Sequence, residues 1–179
     1  MRIYILNTIG LIFIILLSSG CRQNSEKNPS TSMAEAKKNM EKINKVLVDK
    51  DKEKIEAYIE RRKINGMKEN NSGLYYLIWG ESKGPKVKTG NIVILDFNVS
   101  LLDGTLCYSS KDSEPKKFQV GQGGVESGLE MAVLLMHKGE KGKFIMPPHL
   151  GHGLLGDNEK IPPLATLVYD VEILDVIEY

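Results

Sequence analysis

Apolar and polar residues follow three different rhythms along this chain, and the points where the rhythm changes mark its organisation. A continuous apolar run, "IGLIFIILL" from Ile9 to Leu17, comes first. Residues 22–32, "RQNSEKNPSTS", are polar and aperiodic, which predicts a flexible tether. Met33, Ala36, Met40, Ile43 and Leu47 then recur at helical intervals of three and four, with Ser32 and Glu35 at capping-box spacing. The charged run "DKDKEK" interrupts this stripe before Ile55, Tyr58 and Ile59, so residues 33–63 read as one broken helix or two short ones, within a helical lead-in over residues 33–71. That lead-in is either a packing spacer or a dimerisation arm.

From Ser72 the period shortens to two. "GLYYLIW" is rich in aromatic and branched residues. In "IVILDFNVSLL", Val93, Leu95, Phe97, Val99 and Leu101 share one face, and Asp103-Gly104 supplies a turn. "KKFQV" and "KGKFIMP" predict two more strands. Near the end, Leu167, Tyr169, Val171 and Ile173 oppose Asp170 and Glu172. Between these strands Val125, Leu129, Val133 and Met136 predict one short amphipathic helix ending near Gly139. Antiparallel strands around a single helix make an α+β fold.

Composition narrows the function classes. The 24 basic and 23 acidic residues nearly cancel, so no electrostatic pull toward nucleic acid is expected. A length of 179 residues leaves room for one compact domain and little more. Met1-Arg2 before the apolar run, and Ser18-Ser-Gly-Cys21 after it, read as a signal peptide over residues 1–20. The cysteine after Ser-Ser-Gly resembles a bacterial lipobox, although Ser18 stands where Leu is commoner. That resemblance implies cleavage before Cys21 and lipidation of Cys21, palmitate included, with residues 21–32 as lipidated cysteine and tether. The expected location is the cell envelope, at the periplasmic face of the outer membrane. Lipid on Cys21 leaves Cys107, the other of the two cysteines, without a disulfide partner.

Residues 72–179 resemble the FKBP-type peptidyl-prolyl isomerases in the order of their motifs: "SGLYYLI", "GNIVILDFNVSLLDGTLCYSS", "FQVGQGGVESGLEMAVLLMHKGEKGKFIMP" and "IPPLATLVYDVEIL". The lipobox, "IEAYIERR" and "CYSS" together look like the lipoprotein branch associated with gliding motility. The resemblance implies a curved antiparallel sheet wrapped on one short helix, preceded here by the N-terminal helical segment. It implies rotation about X–Pro bonds, a process whose uncatalysed barrier is ~18–20 kcal/mol. No nucleophile, metal or cofactor is called for. A dry pocket favours the twisted amide, and backbone donors hold the flanking carbonyls. Proline-containing client proteins would be the partners, and the membrane would be reached through the lipid anchor.

Carried over position by position, the family's first wall aromatic, usually Tyr, falls on Phe97. The usual Phe-Asp pair falls on Cys107-Tyr108, the largest departure, and the next loop aromatic falls on Lys116. The helix-start aliphatic is Val125, the backbone N–H that takes the substrate carbonyl belongs to Glu126, and the floor Trp becomes Leu129. The loop Tyr hydroxyl is replaced by His152, whose ring can also donate; Ile161 matches, and the last aromatic is Tyr169. These departures imply weak or substrate-restricted activity. The alternative is a non-catalytic binding or chaperone module on the same fold. The two part at the Cys107-Tyr108 pair.

Other candidate chemistry is thin. Cys107 as a nucleophile lacks a neighbouring base of any recognisable signature and reads better as a small buried hydrophobe. His149 and His152 lack a third metal ligand. The glycines of "VGQGGVESG" lack the Lys-Ser/Thr of a phosphate loop and read as a tight entry into the helix. "MHKGEKGK" reads as a solvated turn. If Cys21 is lipidated, the wild-type protein partitions with membranes on cell fractionation, and Cys21→Ser moves it to the soluble fraction. An unchanged partition rules the tether out.

Overall fold

A computed structural model describes residues 29–178. The expected signal peptide, the lipidation at Cys21 and the start of the tether lie outside the described residues. No helix among the described residues is long and apolar enough to cross a membrane. The chain divides into two units, Met1–Lys42 and Ile43–Tyr179.

Helix α1, Pro29–Arg61, is continuous and runs 33 residues. It starts at Pro29, ahead of the Ser32 cap expected from sequence; proline's fixed φ suits the first helical position. The "DKDKEK" run does not break it, because it contains neither Gly nor Pro and its charges pair at helical spacing. Lys54 Nζ lies 3.0 Å from Asp51 Oδ1, and Lys52 Nζ lies 3.8 Å from Glu56 Oε1. In the first unit the helix is exposed, Met33 and Met40 included. In the second unit its last turns bury Asp51, Ile55 and Tyr58, spaced four and three, while Ile43 stays exposed.

The sheet has seven strands: β1 (Lys68–Glu69), β2 (Tyr75–Trp79), β3 (Ile92–Leu101), β4 (Leu106–Ser109), β5 (Lys116–Gln119), β6 (Lys141–Met146) and β7 (Leu167–Ile177). All pairs are antiparallel, in the order β1-β2-β6-β7-β3-β4, with β5 beside the first half of β3. Thus β3 has β7 along one edge and β5 then β4 along the other. Helix α2, Ser127–Val133, lies on one face.

Where β6 and β7 pair at Phe144–Met146 and 167–169 the apolar run is unbroken, because both faces of the sheet are covered there. Phe144, Met146, Leu167, Tyr169 and Val171 join Leu129, Ala132 and Val133 of α2 in the main core. Their neighbours Ile145 and Val168 point the other way and pack with Ile55, Tyr58 and Tyr75. The β3–β7 register shifts between Ile94 and Leu95, leaving Leu174 as the extra residue. This bulge lets both Ile173 and Val176 stay buried although they are three apart.

The two environments of α1 predict different costs for the same truncation. Ile55→Ala should lower unfolding free energy by about 2–4 kcal/mol in urea titrations, and Ile43→Ala should stay within about 0.5 kcal/mol.

Candidate active site

The main core opens at one side of the sheet into a cavity of about 510 Å³, walled by Phe97 and Val99 of β3, Tyr108 of β4 and Tyr169 of β7. Its rim comes from Lys116 at the start of β5 and from loop positions that include Glu126, His152, Asp157, Glu159 and Lys160. The β3–β4 turn places Tyr108. Asp103 Oδ1 accepts the Thr105 N–H at 2.8 Å, and the Leu101 N–H reaches the Thr105 carbonyl at 2.9 Å. Past β4, the Ser110 N–H donates to the Phe97 carbonyl at 2.9 Å, and the Phe97 N–H donates to Ser110 Oγ at 3.1 Å. These bonds hold the Phe97 wall to the chain after Tyr108.

Glu126 is the cap residue of α2, and its carbonyl accepts the N–H groups of Leu129 and Glu130. Its side chain does not cap the helix. The carboxylate turns into the cavity instead, where Oε1 accepts the Tyr169 hydroxyl at 2.6 Å and His152 Nε2–H at 3.0 Å. Oε2 is buried without a hydrogen bond, 3.8 Å from Lys116 Nζ. Burial by itself would push the Glu126 carboxyl up. The Tyr169 hydroxyl, Lys116, its own backbone N–H and His152 outweigh that and hold it below its ordinary value. The same contact works the other way on Tyr169: burial first, then the Glu126 charge, push its hydroxyl far above the usual range. The role of capping the loop passes to Glu130, whose Oε1 accepts the Gly121 and Gly123 N–H groups at 3.2 and 3.1 Å. Gly121, Gly123 and Gly124 all have positive φ, so this glycine run turns the chain into the helix.

On the opposite rim the loop after His152 closes on itself. Asp157 Oδ1 accepts the Glu159 and Ile161 N–H groups at 2.9 and 2.8 Å, and Oδ2 accepts the Tyr108 hydroxyl. Partial burial opposes ionisation of Asp157, but Tyr108, the two backbone donors and His152 bring its carboxyl down to about 2. The hydrogen bond to Asp157 raises the Tyr108 hydroxyl in turn. The turn requires Gly156: at φ +70 a Cβ there would sit 2.1 Å from the Ile161 carbonyl oxygen. Ile161 is thereby buried behind the rim.

Of the residues singled out from sequence, Phe97, Tyr108, Lys116, Glu126, His152 and Tyr169 meet at the cavity. Cys107, Leu129 and Ile161 lie in the core behind it, and Val125 packs against that core half-buried. Cys107 Sγ lies 3.8 Å from the Thr105 carbonyl and 3.6 Å from the Lys160 carbonyl. Burial, then Asp157 and Asp103, raise its thiol above the ordinary value, the reverse of what a nucleophile needs. His149 and His152 do not converge: His149 Nε2 donates to the Ser72 carbonyl at 3.0 Å, and His152 faces Glu126. Among the described residues no three His, Cys, Asp or Glu side chains gather as a metal site. Sequence reasoning assigned Glu126 a role through its backbone and passed over its side chain, as it did Asp157 and Lys160. The signal available was the Tyr at position 169, whose added hydroxyl needs a buried partner.

Residues 84–174 match the family described as FKBP-type peptidyl-prolyl cis-trans isomerase. A relative named FK506-binding protein 2, from Dictyostelium discoideum, is 39% identical over 92 residues, 51% of this chain and 69% of that protein. The FKBP-type peptidyl-prolyl cis-trans isomerase FkpA of Aeromonas hydrophila is 37% identical over 136 residues, 75% of this chain and 50% of that protein. Among solved structures, FkpA from Escherichia coli superposes with a TM-score of 0.64 at 28% identity, covering 87% of this chain and 75% of that one. The chain spans about half to three fifths of the length of the curated bacterial relatives it matches.

Both depressed carboxyls contribute stability that is present above the ordinary carboxylate range and lost as pH falls through their folded values, down to about 2 for Asp157. Urea midpoints should therefore fall between about pH 5 and pH 2. Tyr169→Phe removes a bond that favours the Glu126 carboxylate, so it should flatten this dependence; an unaltered slope would show that the bond does not set it.

Proposed function

We propose that this chain, which belongs to the FKBP-type peptidyl-prolyl cis-trans isomerase family, rotates X–Pro bonds without covalent chemistry in the cavity bounded by β3, β7 and the start of α2. The observation that carries this reading is the cavity itself: the aromatic walls Phe97, Tyr108 and Tyr169 enclose a space of about 510 Å³. A proline ring with its flanking amides fits such a space. Of the carboxylates that line the cavity, Glu126 and Asp157 are already engaged by Tyr169, His152 and Tyr108, and the nearest thiol is buried and held protonated.

The physical step follows from the amide. Rotation abolishes the partial double bond of the X–Pro amide, so the twisted form has less charge separation than either planar isomer. Moving the bond from water to an apolar wall removes hydration that favours the planar, more polar form. Phe97, Val99 and the ring of Tyr169 supply that wall. Each 1.36 kcal/mol by which the wall favours the twisted form speeds rotation about tenfold.

A lipid tether at Cys21, residence in the bacterial envelope and service to proline-containing clients, gliding-motility proteins among them, are part of the same proposal. They rest on the lipobox-like "SSGC" and the branch-like "IEAYIERR" and "CYSS". A second reading has a specific observation in its favour. Glu126, Lys116 and His152 place charge and hydrogen-bonding capacity where apolar contact would serve rotation best, which suits a chaperone that holds proline segments without turnover.

A proline-peptide isomerisation assay on the full chain in mild detergent separates the two. Catalysis above the buffer rate is expected, with Phe97→Ala lowering kcat/KM by roughly tenfold or more through loss of the aromatic wall. A rate equal to buffer leaves only the binding module.

A further inference from the structure

The charged groups in the cavity form a pattern that catalysis of rotation does not require. The Lys116 ammonium sits 5.1 Å from the centre of the Phe97 ring and 3.8 Å from Glu126 Oε2. Across the cavity the Lys160 ammonium sits 5.1 Å from the centre of the Tyr108 ring, whose hydroxyl is bonded to Asp157. The first is an aromatic face beside a carboxylate with a cation near both, the arrangement that holds ammonium and guanidinium groups, and the second sets a cation over an aromatic face. In both the cation is the chain's own.

The Glu126 half is incomplete. Oε1 is fully engaged by Tyr169 and His152, but Oε2 is buried and accepts no hydrogen bond, because Lys116 stops 3.8 Å away. A carboxylate oxygen in that position favours any donor that can reach it, a charged one most. The wider lining leans the same way. Asp112, Glu126, Asp157 and Glu159 face Lys116 and Lys160 there, while the whole chain carries a net charge of +1. The cavity is thus acidic on a nearly neutral protein, which concentrates cationic segments at its mouth.

We infer that Glu126 is a specificity-determining residue, and that the site prefers proline segments with an arginine or lysine immediately before the proline. This inference rests on the isomerase reading above. With the ring against Phe97, Val99 and Tyr169, the preceding residue is the other end of the rotating amide, and its side chain is the nearest substrate group free to reach Oε2. A guanidinium or ammonium there takes over the place of Lys116 against Phe97 and completes the contact that Lys116 leaves long. A preceding glutamate meets Glu126, Asp157 and Glu159 with like charge.

The test is a set of matched peptides differing only before the proline: Arg-Pro, Lys-Pro, Leu-Pro and Glu-Pro, each measured as kcat/KM on the full chain. Arg-Pro and Lys-Pro should exceed Leu-Pro by about tenfold, the scale of one partly screened charge-assisted hydrogen bond, and Glu-Pro should fall below it. Glu126→Gln should bring the Arg-Pro to Leu-Pro ratio to about one, and Lys116→Met, which leaves Glu126 uncovered, should raise it. Equal wild-type rates for Arg-Pro and Leu-Pro overturn the inference and leave the isomerase reading standing. A ratio that survives Glu126→Gln in a variant with an intact thermal transition overturns the role of Glu126. If no peptide is turned over, the isomerase reading fails, and fluorescence anisotropy with the same peptides decides the specificity: Arg-Pro should bind about tenfold tighter than Leu-Pro, and equal affinities overturn it.

Discussion

The pairing of β3 with β7 is the constraint on which the rest of the protein depends. It runs from Ile92 opposite Ile177 to Leu101 opposite Leu167 and joins the last strand of the chain to its middle. Every other strand adds to one edge or the other of this pair: β6, then β2 and β1, beyond β7, and β4 and β5 beyond β3. Because side chains alternate with a period of two, the register decides which residues face α2. A slip of one residue would turn Tyr169 and Phe97 away from the cavity and bring Asp170 and Asp96 into it. The bulge between Ile94 and Leu95 keeps the alternation inward past the point where a regular strand would have exposed Val176.

The cavity inherits its polarity from the same pairing. With Tyr169 held on the inner face of β7, its hydroxyl is buried and must find an acceptor. Glu126 provides one, and it is also drawn to His152 from a separate loop. A buried carboxylate is tolerable only with such partners, so the group of Glu126, Tyr169, His152 and Lys116 stands or falls together. On the other rim Tyr108 and Asp157 make a second phenol–carboxylate contact.

Much of the fold was legible because it is written in local spacing. The alternation in "IVILDFNVSLL" and "ATLVYDVEILDVI" and the glycines ahead of the short helix appear where expected, while the helix itself, Ser127–Val133, stops well before Gly139 and leaves Val125 ahead of it and Met136 beyond it, both still packed on the core. The lead-in was less legible. "DKDKEK" breaks an apolar stripe but not a helix, since a helix needs only its backbone bonds and tolerates a polar turn. Apolar spacing along α1 also failed to distinguish the exposed Met33, Met40 and Ile43 from the buried Ile55 and Tyr58. Periodicity shows which residues share a face, but not whether another element covers that face.

Five of the seven strands, the presence of the short helix, their order and the resemblance that names the family can be read along the chain, because each depends on residues close together in it; the two-residue β1, the short β4 and the unbroken course of α1 could not. Which way the side chains of the site turn is settled only by folding. The Glu126 carboxylate had two local options, to cap its own helix or to leave it. The choice was made by Tyr169, 43 residues away in sequence. Cys107 and Tyr108 are neighbours, yet one is sealed in the core and the other faces the cavity. Tyr108 is held there by Asp157, 49 residues away. Contacts of this length form only once the sheet is closed, so they leave no periodic trace in the chain.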